Sequence, residues 1–257
     1  MKKQDFIVLG LLVGGIILGY FYDFEIFKML YFPHDFVGLV INDYANLLAY
    51  ALGFFALIGV SINESNLIKK TLFETMAIFL VIAVGFVTHL TLDFELVDTM
   101  SFSFIIAYFI YYYVHHTKRF KTKTFYKWFM FVSISFVLLM LVPNVIKTFV
   151  LRFRPYMYVG GCLDYSFYLK WLPFNFEENF RSFPSFHVSM SSLFLVFVVY
   201  PMQSEKSRNL NFYRAVLWIG TVGYYRIVFG QHFLSDVLVS VLIGYFILRW
   251  TYFKILK

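Results

Sequence analysis

Charge is scarce in this chain: only 14% of its 257 residues are Asp, Glu, Lys or Arg, where a soluble domain carries about a quarter. Apolar surface takes its place, because 60% of the residues are hydrophobic and 23% aromatic, with 35 Phe and 20 Tyr spread along the whole length. That balance excludes a soluble globular domain and indicates a polytopic membrane protein. Cysteine is nearly absent. Cys162 stands alone, which excludes an intramolecular disulfide and any cysteine-cluster metal site; no chemical role is expected for it.

Eight runs are apolar enough and close enough to 20 residues to cross a hydrocarbon core, at roughly 6–22, 45–63, 71–90, 98–114, 128–148, 184–202, 214–231 and 234–250. The expected fold class is therefore all-α, a membrane helix bundle of about eight spans. The first run follows MKKQD, lacks a small-residue cleavage site and continues into YFYD, so it reads as an anchor. Residues 23–44, with FEIFKMLYF, are expected to lie in the interface as an amphipathic helix.

Charge distribution sets the expected orientation. With the N-terminus inside, the cytoplasmic segments hold Lys2, Lys3, Lys69, Lys70, Lys118, Arg119, Lys121, Lys123, Lys127, Lys206, Arg208, Arg214, Arg249, Lys254 and Lys257. The outer segments hold most acids, among them Asp23, Glu25, Asp35, Asp43, Asp93, Glu95, Asp98, Asp164, Glu177 and Glu178. Both termini are then cytoplasmic, as the excess of Lys and Arg on inner loops requires. The net charge of +7 does not call for nucleic acid. The run HHTKRFKTKTFYK reads as a topology determinant beside anionic lipid, and nothing else in the chain supports a nucleic-acid partner.

Seven basic residues fall outside the inner set: Lys28, Lys147, Arg152, Arg154, Lys170, Arg181 and Arg226. Most gather where IKTFVLRFRPY closes span five, RSFPSFH opens span six, and YYRIVFGQHFLSD joins spans seven and eight. All three segments share the outer side in this orientation. Lys147 and Arg154 are seven residues apart, nearly two turns, so one helix face is expected to present both before Pro155 ends it. Pro184 is expected to start span six, which sets Ser185 and nearby backbone N–H groups at a helix N-terminus, where anions bind. His232 and Asp236 are four apart, the spacing at which a carboxylate orients an imidazole one turn away. Three cations, a helix N-terminus and two histidines describe a pocket for a dianion that undergoes transfer, and phosphate is the obvious candidate. A charge at the centre of a span costs about 2.5–3.5 kcal/mol, so such a cluster needs a partner or a function.

The pattern Lys147-x6-Arg154-Pro155, Pro184-Ser185-x-His187, Arg226-x5-His232-x3-Asp236 resembles the three-part signature of the type 2 phosphatidic acid phosphatase superfamily. The resemblance covers roughly residues 71–250. It implies a phosphatase core of six helices over 71–257, with two additional spans over 1–70. It also implies roles. His232 is the nucleophile that forms a phosphohistidine, and Asp236 orients it. His187 protonates the leaving alkoxide and then activates water. Lys147, Arg154 and Arg226 clamp the phosphoryl oxygens, helped by Ser185 and backbone N–H groups, including that of Phe186. The implied chemistry uses no metal and no cofactor. Arg181 lies outside the signature but close before Ser185, in place to add a contact.

Two positions depart from the family pattern, Phe186 where glycine is usual and Tyr225 where serine is usual. Related lipid phosphotransferases also carry a bulky residue at the first, so the residues leave hydrolysis and transfer to a second lipid both open. A non-catalytic lipid transporter or binding protein is a third reading, against which the intact His–His–Asp set stands. The implied substrates are phosphatidylglycerol phosphate, phosphatidic acid, undecaprenyl pyrophosphate or lipid A phosphates, met at the outer (periplasmic) face of the cytoplasmic (inner) membrane.

Other polar groups receive plainer readings. His34, His89, His115 and His116 have no comparable company and read as structural or interfacial. Arg152 lies off the Lys147–Arg154 face and is expected to snorkel to headgroups. The aromatic excess reads as lipid-facing packing and interfacial belts. The connection from Tyr156 to Phe183 is long for a membrane loop and is read evenly as an interfacial segment and as a substrate-selecting lid.

Overall fold

The computed structural model describes residues 3–33, 36–92, 95–159, 170–171 and 178–257. Cys162, His34 and most of the long Tyr156–Phe183 connection lie outside the described residues. The described residues form eight α-helices: α1 (Lys3–Leu30), α2 (Phe36–Ser61), α3 (Leu67–Leu92), α4 (Leu96–His116), α5 (Lys123–Phe149), α6 (Phe186–Ser191), α7 (Glu205–Val228) and α8 (Leu234–Ile255). A 3-10 helix, Ser192–Val199, prolongs α6. Short strands β1 (Val150–Leu151) and β2 (Lys170–Trp171) pair antiparallel, with Val150 opposite Trp171.

Each expected span has its helix, and the protein is an all-α polytopic membrane bundle. Among the described residues, six segments are long and apolar enough to cross a membrane: Leu9–Leu30, Tyr44–Ser61, Leu67–Leu90, Leu96–His116, Lys123–Phe149 and Leu234–Ile255. The sixth span is shorter, an apolar stretch of Phe186–Val199. Within it, Ser191 and Ser192 turn their hydroxyls back to the carbonyls of His187 and Val188 at 2.8 and 3.2 Å, where α geometry gives way to 3-10. The seventh, α7, opens on EKSRN and carries Arg214 and Arg226.

The described residues of 23–44 do not form a helix of their own. Instead α1 runs on to Leu30 and α2 begins at Phe36. The cause lies on one stripe of α1, where Gly15, Gly19, Asp23 and Phe27 recur every four residues and therefore share a face. A Cβ on Gly15 would stand 2.9 Å from Leu238 Cδ1, and one on Gly19 would stand 3.1 Å from the Ser235 backbone nitrogen. Small residues thus let α1 lie close on α8. One turn further, the buried ring of Phe27 meets Phe233 edge-on at 6.1 Å.

The main core gathers α2, α5, α6 and its 3-10 continuation. Phe120, Phe125, Trp128 and Phe129 are buried there with edge-to-face contacts such as Phe120–Phe125 at 5.2 Å. Trp128 also donates through Nε1 to the Val196 carbonyl at 3.2 Å, which ties α5 to the 3-10 segment. Ser135 and Thr251 share a buried hydroxyl hydrogen bond of 2.8 Å between α5 and α8. Other aromatics face outward, including Tyr108, Phe109, Tyr112 and Tyr113 on α4, as lipid-facing packing requires. His116 stacks on Tyr112 at 4.1 Å and bonds the Tyr112 carbonyl, a local role at the helix end.

Candidate active site

The end of α5, the start of α6 and the α7–α8 connection meet at one end of the bundle. Lys147 lies in the last turn of α5, and its buried Nζ donates to the Arg181 carbonyl oxygen at 2.6 Å. Arg154 does not share its helix face, because α5 stops at Phe149. The chain there finds other backbone partners: β1 pairs with β2, and the amides of Arg152 and Arg154 donate to the carbonyls of Phe180 and Asn179 at 3.0 and 2.9 Å. Pro155 consequently begins a short 3-10 turn, Pro155–Tyr158, rather than ending α5. The Arg154 guanidinium reaches the site by bonding Gln231 Oε1. Arg181 takes part through its backbone, as the acceptor for Lys147.

Ser185 is the N-cap of α6, so Pro184 precedes the cap instead of opening the helix. The Ser185 amide donates to Ser240 Oγ at 2.7 Å. Its own hydroxyl makes no cap bond and is buried with no hydrogen-bond partner among the described residues. Phe186 and His187 follow, their rings edge-on at 6.1 Å, and the Phe186 ring packs against the main core.

Arg226 sits in the last turn of α7, and its carbonyl accepts the amides of Gln231 and His232 at 3.0 and 3.1 Å. That tight reversal needs Gly230, whose φ of +64° is left-handed and whose missing side chain leaves room for Tyr156. The reversal holds His232 against Arg226, with Nη2 of the arginine 3.3 Å from Nε2 of the imidazole. On its other edge, His232 Nδ1 lies 2.5 Å from the Ser182 carbonyl oxygen. A carbonyl only accepts and a guanidinium only donates. His232 is therefore neutral, with its proton on Nδ1 and the Nε2 lone pair turned to the cations. Burial first, then the fields of Arg226, Lys147, Arg154 and His187, hold its pKa well below the usual histidine value of 6.5. The same three cations act on His187, so both imidazoles and all three positive groups belong to one site.

Asp236 lies beside His232 as the four-residue spacing suggests, but it is not the imidazole's hydrogen-bond partner. Its Oδ2 is 3.9 Å from Nδ1. It accepts instead from Ser182 Oγ at 2.6 Å and from the Phe233 amide at 2.8 Å, and it pairs through Oδ1 with Arg152. The link to the histidine thus runs through Ser182, whose hydroxyl meets the carboxylate while its carbonyl meets the imidazole.

Arg152 does not snorkel to headgroups. It is 2% exposed and stands between two carboxylates, bonding Asp236 through Nη1 and Asp23 Oδ2 through Nη2 at 2.8 Å. Its guanidinium also lies over the Phe233 ring, 4.4 Å from the centroid. Desolvating an arginine is tolerable where two acids surround it. Asp23 does not belong to an outer loop: it lies within α1 and is 2% exposed. Sequence reasoning missed Asp23, Ser182 and Gln231 as parts of this site. The signal for Asp23 was present, as an acid in an apolar helix on the same stripe as two glycines. No local pattern marks Ser182 or Gln231.

A family model described as the PAP2 superfamily matches residues 128–256. The match takes in Lys147, Arg154, Ser185, His187, Arg226, His232 and Asp236, and the chain belongs to that superfamily. No curated protein and no solved structure matches the chain.

Proposed function

We propose that this member of the PAP2 superfamily is an integral membrane phosphatase that removes phosphate from a lipid through a phosphohistidine on His232. The observation that carries the reading is the state of that imidazole. A neutral ring with its proton on Nδ1 and its Nε2 lone pair beside Arg226 is a nucleophile aimed where a phosphoryl group's oxygens would find cations. Nε2 attacks phosphorus and the bond to the lipid oxygen breaks. The bound phosphate dianion offsets the three cations around His187, so the imidazole takes up a proton with the substrate and gives it to the departing alkoxide. Water then attacks the phosphohistidine, His187 takes a proton from it, and His232 is restored as inorganic phosphate leaves. Lys147, Arg154 and Arg226 stabilise the charge spread over the equatorial oxygens, where fixed positive groups contribute most. The buried Ser185 hydroxyl, without a partner among the described residues, suits one more phosphoryl oxygen.

The distribution of Lys and Arg supports a site at the outer face of the cytoplasmic membrane with both termini inside. The lipid is of the class of phosphatidylglycerol phosphate, phosphatidic acid, undecaprenyl pyrophosphate or a lipid A phosphate, with its chains remaining in the bilayer. A purified sample screened against these lipids tests the reading. Wild-type protein is expected to release phosphate and His232→Ala to release none; substantial turnover by the variant sinks the mechanism. Phosphorylated acceptor lipid in place of free phosphate would make the protein a transferase, and lipid binding without turnover a binding protein.

A further inference from the structure

The site has a carboxylate that the three-part signature does not contain and that lies outside the matched residues. Asp23 on α1 accepts from the Ser235 amide at 2.9 Å through Oδ1 and from Arg152 Nη2 at 2.8 Å through Oδ2, and the Ser235 hydroxyl donates to the same Oδ2. Ser235 is in the first turn of α8, whose leading N–H groups have no partners within the helix. Asp23 supplies one such partner from a different helix, and Asp236 supplies another, to Phe233. A negative charge at this point is also favoured by the α8 dipole. Arg152 is bonded to Ser235 Oγ at 2.8 Å and to Asp236. The chain of contacts then runs from Asp236 to Ser182 Oγ, and from the Ser182 carbonyl to His232 Nδ1.

We infer that Asp23 is a positioning residue for His232: by fixing Arg152 and the α8 N-terminus it holds Asp236 and Ser182 where they keep the imidazole proton on Nδ1. The inference rests on His232 being the nucleophile. Arg152 bears one charge and has two carboxylates to satisfy. With Asp23 in place, its second nitrogen is engaged and Asp236 remains available to Ser182. Without that charge, Asp236 is drawn fully onto Arg152 and releases Ser182, and the carbonyl that selects the tautomer loses its anchor. The Gly15–Gly19 approach of α1 to α8 is what brings the carboxylate within reach.

Two readouts separate this role from simple packing. In protein carrying 15N-labelled histidine, with the His232 signals identified by their loss in His232→Gln, wild-type His232 is expected to show a protonated Nδ1 and a bare Nε2. In Asp23→Asn, which keeps the shape and removes the charge, the Nδ1–H population is expected to fall. Ser235→Ala, which removes the hydroxyl bridging Asp23 and Arg152 but no charge, is expected to move it in the same direction. On a lipid phosphate, Asp23→Asn is expected to lower kcat roughly ten- to a hundred-fold, as loss of an orienting partner does, with KM within about twofold. An unchanged tautomer in both variants overturns the inference, whatever happens to kcat. The tautomer is read without substrate, so wild-type protein inactive on every lipid phosphate would defeat the phosphatase reading and leave this test standing.

Discussion

The Ser182 carbonyl oxygen accepts the His232 Nδ1 proton at 2.5 Å, while the same residue's hydroxyl donates to Asp236 at 2.6 Å. One serine therefore couples the carboxylate to the imidazole, which are 3.9 Å apart and do not meet directly. The arrangement fixes the tautomer through a neutral acceptor and leaves the carboxylate's charge to Arg152.

Protonation of His232 gives the first prediction. Burial and then the neighbouring cations push its pKa down from 6.5. In the unfolded chain the same histidine takes up its proton near 6.5, so the unfolded state binds more protons between that value and the depressed one. Its contribution to stability therefore falls as pH drops below about 6.5. The imidazole that the proposal makes the nucleophile stays unprotonated through that window. The rate of phosphohistidine formation in a single turnover is expected to hold its value at pH 6.5 and to fail only at lower pH; an acid limb at or above 6.5 would contradict the assignment.

Ser185 separates activity from stability. Its hydroxyl is buried with no partner among the described residues, a condition unfavourable to the unliganded fold. Ser185→Ala is expected to leave thermal stability unchanged or raise it by about 1 kcal/mol. Loss of one hydrogen bond to a phosphoryl oxygen is expected to lower kcat/KM by roughly tenfold or more. Unfolding in detergent and phosphate release measured on the same preparation decide it, and a destabilised but fully active variant would refute the role.

Phe186 occupies the position where the family pattern has glycine, yet its ring packs into the main core. Phe186→Gly is expected to leave the ratio of free phosphate to phosphorylated acceptor unchanged. The lost packing of this half-buried ring is expected to destabilise the fold by roughly 2 kcal/mol. Mass spectrometry of the products with an acceptor lipid present measures the ratio, and a shift towards transfer or hydrolysis would give Phe186 a part in the outcome.

How far the site was legible depended on the range of the interactions that build it. The seven signature residues and their intervals could be read because each group of the pattern lies within a few residues along the chain. Their local geometry was less readable. Lys147 and Arg154 fit one helix face by spacing, but α5 ends at Phe149 because the backbone beyond it pairs with Lys170–Trp171 and with Asn179 and Phe180. Similarly, the i, i+4 interval from His232 to Asp236 crosses a helix start, where the imidazole lies outside α8 and the carboxylate turns back to cap it.

From the sequence alone follow the membrane class, the helices and the candidate site residues of the signature, since hydropathy over about 20 residues and short fixed intervals are local properties. Tertiary structure alone decides that Asp23 and Arg152 belong to the site at all. They are far apart in the chain and meet only because Gly15 and Gly19 let α1 close on α8, burying a charge that two carboxylates must then share. Read singly, Asp23 and Arg152 look like ordinary boundary charges; desolvated together, they join the chain of contacts that runs through Asp236 and Ser182 to the histidine.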